Sequence, residues 1–312
     1  ITQEDSPLPI LDSTRLLARA AADAALGGRE LSDWGGGPVA GLIRGNDGPY
    51  YGTTLSGGRY GLGSVYRITR RGDTVAFATV HAFREAEGAR VFGALVQARD
   101  GYFYGTASYG GPSGSGTVFR MSPNGRLRVL SAFDGDTTGG LPEGGLIQAS
   151  DGYLYGTTLR GGAGNSGTVF RIDTAGTITV LHAFDYWSTG ASSAAPLVEG
   201  HDGRLYGTTS AGGTFGQGVL FGIDKGGTLT VLHSFDERTT GSGPGPVVQG
   251  RDGVLYGTTF NGGAFGAGTL FRATIAGQVT VLRSFDPSRE GGHPTARLTQ
   301  GHDDALYGTT MW

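Results

Sequence analysis

Two arginines, a histidine and a tyrosine in the stretches between strand-like runs are the residues of this chain best placed to do chemistry. "FDPSREGGHPTAR" carries Arg289, His293 and Arg297, and "FDYWSTGASS" carries Tyr186 beside Trp187. A guanidinium clamps a carboxylate through two parallel hydrogen bonds, and a positioned imidazole or phenol takes a proton. Together they suit elimination from an anionic, uronate-containing polysaccharide. Arg289 or Arg297 would neutralise the uronate, His293 or Tyr186 would take the α-proton, and no cofactor would be needed. Trp187, with Tyr186, would stack on a sugar face. Arg160, Tyr60, Tyr109, Arg84 and Asn261, in neighbouring loops, complete the set of substrate-binding candidates. Each of them, taken singly, reads better as a solvated loop side chain. A non-catalytic glycan-binding lectin or adhesion module, or a protein-interaction scaffold, would use the same loops. A multivalent lectin repeats its contacts, yet Trp occurs only at 34, 187 and 312, which favours one asymmetric site. No nucleophile elbow, phosphate loop, HExxH zinc site or dinucleotide fingerprint is present.

The elements that must hold these residues are repeats. Tyr51, Tyr104, Tyr155, Tyr206, Tyr256 and Tyr307 recur at spacings of 53, 51, 51, 50 and 51 residues, each followed by Gly. One period holds four runs of strand character, "GLIQAS", "YLYGTT", "GTVFRI" and "ITVLHAF". They are short, rich in β-branched and aromatic residues, and divided by Asp-Gly and Gly-Gly turns. Four antiparallel strands in about fifty residues describe a propeller blade. The expected fold is therefore all-β, a six-bladed β-propeller of four-stranded antiparallel blades over residues 37–312. The first two strands occur six times and the last two only five. The N-terminal segment, residues 1–36, would help to finish the sixth blade. It reads as a short helix capped by Ser13 and stopped at Gly27-Gly28. Five blades with a surplus hairpin, or a blade completed by a neighbouring subunit, are the alternatives.

In such a blade the Asp-Gly turns and the turns between third and fourth strands share one face. The Gly-Gly loops and the blade-crossing segments share the other, and the variable residues gather there. Residues common to the repeats read as scaffold. The tyrosines should pack between blades with the hydroxyl on backbone, and the threonines after them should tie down the Gly-Gly loop. His81, His182 and His233 fall in one column of the fourth strand, one per blade, too far apart to share a metal. The column Asp134, Asp185, Asp236 and Asp286 should cap turns. Arg44, Gln97, Gln148, Glu199, Gln249 and Gln300 should line the innermost strands, bonding between blades or holding a small ligand in the central channel.

Composition narrows the partners. Lys plus Arg (24) nearly balances Asp plus Glu (27), for a formal charge of −3, so the whole chain offers no footprint for nucleic acid. Cysteine is absent, which removes disulfides and thiolate chemistry. No apolar run is long enough to span a bilayer. The first residue is Ile1, as it would be after removal of a secretion signal or with a recombinant start.

The repeat "GLIQASDGYLYGTTLRGGAGNSGTVFRIDTAGTITVLHAFD" resembles the tandem Gloeo-Verruco repeat of predicted secreted bacterial proteins, over about residues 38 to 312. The resemblance implies a secreted, extracellular or periplasmic protein. It implies no activity, so function has to be argued from the site.

Overall fold

The computed structural model describes residues 40–71, 74–301 and 303–311. The expected N-terminal helix lies outside them. Sheets follow one another along the chain as the repeat demands. The first blade comprises strands Ile43–Arg44, Tyr50–Thr54, Ser64–Arg71 and Thr74–Ala82. Blades two, three and four copy it with shorter outer strands, for example Thr168–Ile172 and Ile178–Ala183 in the third. The fifth gains a strand, Ser242–Pro244, paired to an extension of its second strand. The sixth shows its two inner strands, Thr299–Gln300 and Leu306–Tyr307. All neighbours are antiparallel and run in order from the axis outwards. This is the six-bladed β-propeller, its sixth blade represented among the described residues by two inner strands.

Both faces of each blade are apolar because each meets another blade. The phenylalanine ending the fourth strand of one blade meets the third-strand phenylalanine of the next, edge to face. The pairs are Phe83 with Phe119, Phe133 with Phe170, Phe184 with Phe221 and Phe235 with Phe271, at 5.0 to 5.3 Å. The second-strand glycine makes room for that ring. A Cβ on Gly156 would sit 2.8 Å from the Phe170 ring of its own blade, so any larger residue would displace the ring that meets Phe133.

The conserved-looking tyrosines depart from expectation in one respect. Tyr51, Tyr104, Tyr155 and Tyr206 are fully buried between blades. Their hydroxyls, however, donate to a carboxylate and not to backbone. Tyr155 Oη lies 2.7 Å from Asp151 Oδ2, and Tyr51, Tyr104, Tyr206, Tyr256 and Tyr307 repeat the contact with the aspartate four residues before. The other oxygen of the same aspartate accepts the N–H two residues on, as at Tyr153 N. Each of these turns is thus pinned to the column tyrosine that follows it. Burial, with the adjacent Asp100, pushes the Tyr104 hydroxyl up to about 12, so it stays protonated and donating at neutral pH.

The innermost polar column clasps blades together. Gln148 Oε1 accepts the N–H of Arg99 one blade back, and Gln148 Nε2 donates to Gly152 O in its own turn. Gln97, Gln249 and Gln300 repeat this arrangement. Glu199 breaks the pattern: it accepts from Ser150 N and Oγ, and Lys225 Nζ lies 2.6 Å from it.

Candidate functional site

The threonines divide their work. The second in each pair ties the Gly-Gly loop, as where Thr158 Oγ1 and Thr168 Oγ1 lie 3.0 Å apart. The first reaches the next blade's crossing segment, as where Thr157 donates to Ser193 O. Crossing segments and Gly-Gly loops are also joined by backbone: Gly140 N donates to Arg160 O and Arg160 N to Gly140 O. The variable loops therefore stand on a braced rim.

Two residues after a glycine of positive φ, each crossing segment holds a second left-handed position: Arg90, Leu141, Ser192, Gly243 and His293, with φ between 53° and 61°. Their N–H groups donate to carbonyls near the previous Gly-Gly loop, Leu141 N to Ser115 O and His293 N to Ala267 O. The strain buys the join between blades, and the residue type there is free to vary.

Between blades two and three this rim opens into a cavity of about 490 Å³, lined by Tyr109, Asp136, Leu141, Glu143, Arg160 and Asn165 among others. Gly135 is part of its lining. That glycine occupies the position of Glu85, Tyr186 and Glu237 in the crossings after blades one, three and four and of Pro287 in the last, and like the first three its carbonyl accepts a Gly-Gly loop N–H, here from Gly162. One blade on, Tyr186 fills the space, reaching toward Gly216. In the cavity Tyr109 is partly exposed, and the Arg90 guanidinium lies 5.1 Å from its ring centre. Burial pushes the Glu143 carboxyl above its ordinary range, and the charge of Arg160 partly offsets this. Asn165 Oδ1 accepts the N–H of Gly161 and so shapes the floor. The cavity offers an aromatic edge, a cation and a carboxyl of raised pKa beside Leu141 and Leu159.

Two of the sequence candidates, Tyr109 and Arg160, meet here. Tyr60 and Arg84 meet elsewhere on the same face: the guanidinium groups of Arg59 and Arg84 lie 5.7 and 5.5 Å from the Tyr60 ring centre. Trp187 stands 72 % exposed, edge to face with Tyr186 at 4.9 Å. His293 Nδ1 is 3.0 Å from Phe260 O, and its ring packs on Phe260. Arg289 is 84 % exposed with Asp286 3.6 Å away, and Arg297 is exposed just before the innermost strand of blade six. Asn261 continues the second strand of blade five, opposite Ser242. No hydrogen bond or ring contact among the described residues joins Tyr186 to His293, Arg289 or Arg297. Glu143 and Asp136 were missed by sequence reasoning. The signal for Glu143 was its being the one acid in a column otherwise occupied by Phe92, Ala194 and Thr295.

The fourth-strand histidines have local partners. His81 Nε2 is 2.9 Å from Glu87, and His182 and His233 each lie 3.3 Å from a threonine hydroxyl. The aspartates that follow cap turns, as where Asp185 Oδ1 accepts the N–H of Ser188. Among the described residues no helix is long and apolar enough to cross a membrane.

The model of the Gloeobacter/Verrucomicrobia repeat matches residues 28–150 and 136–312. No curated protein matches the chain. Among solved structures, virginiamycin B lyase from Staphylococcus aureus aligns at a TM-score of 0.62 and 17% identity, over 89% of this chain and 79% of that one. A protein of Bacteroides uniformis assigned as a 6-phosphogluconolactonase aligns at 0.56 and 16%, over 86% and 76%. A gluconolactonase of Xanthomonas campestris aligns at 0.51 and 14%, over 93% and 90%. At these identities the likeness is one of fold.

Proposed function

The chain belongs to the Gloeobacter/Verrucomicrobia repeat family, and from that premise we propose that it is a secreted propeller that binds an acidic saccharide in the cavity between blades two and three. One observation carries the reading: Tyr109, Arg160 and Glu143 converge on a cavity that Gly135 lines where other crossings carry a side chain. Arg160 would clamp the carboxylate of a uronate, Tyr109 would stack on its ring, and Glu143 and Asn165 would bond hydroxyls. Trp187, Tyr60, Arg84 and Asn261 lie on the same face, where a longer chain would meet them. Secretion is part of the proposal and rests on the family resemblance.

A second reading, a lyase acting on the bound uronate, is favoured by the raised pKa of Glu143. A base would take the proton α to the carboxylate, a double bond would form to the neighbouring carbon, and the glycosidic oxygen would leave and be protonated. The base would be Glu143 or, in the arrangement the sequence suggests, His293 or Tyr186 with Arg289 or Arg297 as the clamp.

The test is calorimetric titration with oligogalacturonates, run beside an assay for unsaturated product. Binding by the wild type should fall at least about tenfold in Arg160→Ala, since a charge-assisted pair contributes on the order of 1.5–3 kcal/mol. Gly135→Tyr, which copies the next blade, should abolish it with the fold intact. Unsaturated product lost in Glu143→Gln, His293→Ala or Tyr186→Phe would assign the base. Absence of product would leave a binding module, and unchanged binding in Gly135→Tyr would exclude this cavity.

A further inference from the structure

The overall charge of −3 conceals an uneven distribution. Between Gly41 and Asp134, blades one and two, eleven arginines stand against six carboxylates, whereas from Asp185 to the end eight basic residues stand against eleven. Three of those eleven arginines, Arg59, Arg84 and Arg90, belong to the loop-rich face. The other eight lie in or near the hairpin turns of the opposite face, and among the described residues only Asp47 and Asp100 stand with them.

The hairpin face of these blades is also open and aromatic. Arg44, Arg99, Arg126 and Arg128 are exposed, and no ion pair among the described residues engages them. Tyr50 begins the second strand of blade one and Tyr102 stands just before that of blade two, and they are 44 % and 37 % exposed. The Arg120 guanidinium lies 4.9 Å from the Tyr102 ring centre, and Arg171 repeats this over Tyr153 in blade three at 4.8 Å. The surface is continuous across the blade boundary, because a Cβ on Gly125 in the outer turn of blade two would lie 2.4 Å from Val80 O of blade one. At the position of Tyr102 and Tyr153, blades four to six hold Arg204, Val254 and Ala305.

From this we infer that the hairpin face of blades one and two is a second binding surface, taking an acidic polysaccharide along its arginine and tyrosine array. Arginine forks match carboxylate or sulfate groups, and exposed tyrosine rings accept sugar faces. The aspartates interleaved with the arginines, Asp47 and Asp100, oppose a polymer charged as densely as nucleic acid. The inference does not rest on the cavity, which opens on the opposite face.

Affinity electrophoresis through polygalacturonate at several salt concentrations tests it, with dextran and duplex DNA as comparison polymers. Wild type should be retarded by polygalacturonate, less so as salt rises, and not by dextran. Arg126→Glu with Arg128→Glu should weaken this at least about tenfold at low salt, and Tyr102→Ala should weaken it further. The charge-matched pair Arg238→Glu and Arg272→Glu, both exposed in the acidic sector, should change it less than about twofold. In the Gly135→Tyr background, where the cavity is filled, retardation should persist and Arg126→Glu with Arg128→Glu should still weaken it, which separates this surface from the cavity. Equal loss in the charge-matched pair, tighter binding to DNA than to polygalacturonate, or a salt-sensitive dimer in sedimentation that Arg126→Glu with Arg128→Glu dissolves would each overturn the inference.

Discussion

The buried tyrosine and its turn aspartate are the smallest unit from which this molecule is built. The pairing was legible in principle, because an aspartate stands four residues before every tyrosine of the column, yet the sequence reading assigned the hydroxyl to backbone. Spacing across a tight hairpin says that two side chains are near; it does not say which acceptor faces the hydroxyl. Tyr155→Phe removes a donor from a carboxylate at the edge of the core and should cost about 2 kcal/mol in urea unfolding. Tyr307→Phe, where the ring is 43 % exposed, should cost no more than about 0.5 kcal/mol. Glu143 gives a pH signature. Its folded pKa is raised, so the fold favours the protonated acid, and the group's contribution is most favourable below the unfolded pKa and is lost as pH rises through the folded one. Glu143→Gln should therefore melt higher than wild type at pH 7, and the difference should vanish near pH 4 in a calorimetric series.

At the scale of the strand and loop, the repeat period and its turns were enough to place four strands per blade and to assign the loops to faces. Their alternation of β-branched and aromatic residues can bury only against another sheet. The extra strand Ser242–Pro244 was not legible, because its pairing follows from a one-residue shortening of that crossing segment and not from any strand-like composition. The innermost glutamines were read as either clasp or channel lining, and their bonds decide for the clasp. Each satisfies one N–H of the preceding blade and one carbonyl of its own turn, so a truncation strands both. Gln148→Ala should cost about 1–3 kcal/mol, and should raise hydrogen exchange at Arg99 N–H and the Gly152 turn ahead of the outer strands. Exchange rising evenly through the blade would contradict the clasp.

For the whole molecule, the ring follows from repetition, while function follows from where repetition fails. Gly135 in place of Tyr186, Glu143 in a column without other acids, and arginines crowded into two blades are departures that a repeat consensus averages away. The candidate site was legible only in part for that reason. Tyr109 and Arg160 stood out as large side chains in variable loops, but the cavity between them is lined by a glycine where other crossings carry a side chain, which no motif announces. The central claim is that an acidic saccharide occupies this space. A crystal soaked with an oligogalacturonate tests it most directly. The account predicts a uronate carboxylate bonded to Arg160 with the sugar ring against Tyr109; a saccharide ordered elsewhere on the loop-rich face, with the cavity holding only solvent, would contradict it.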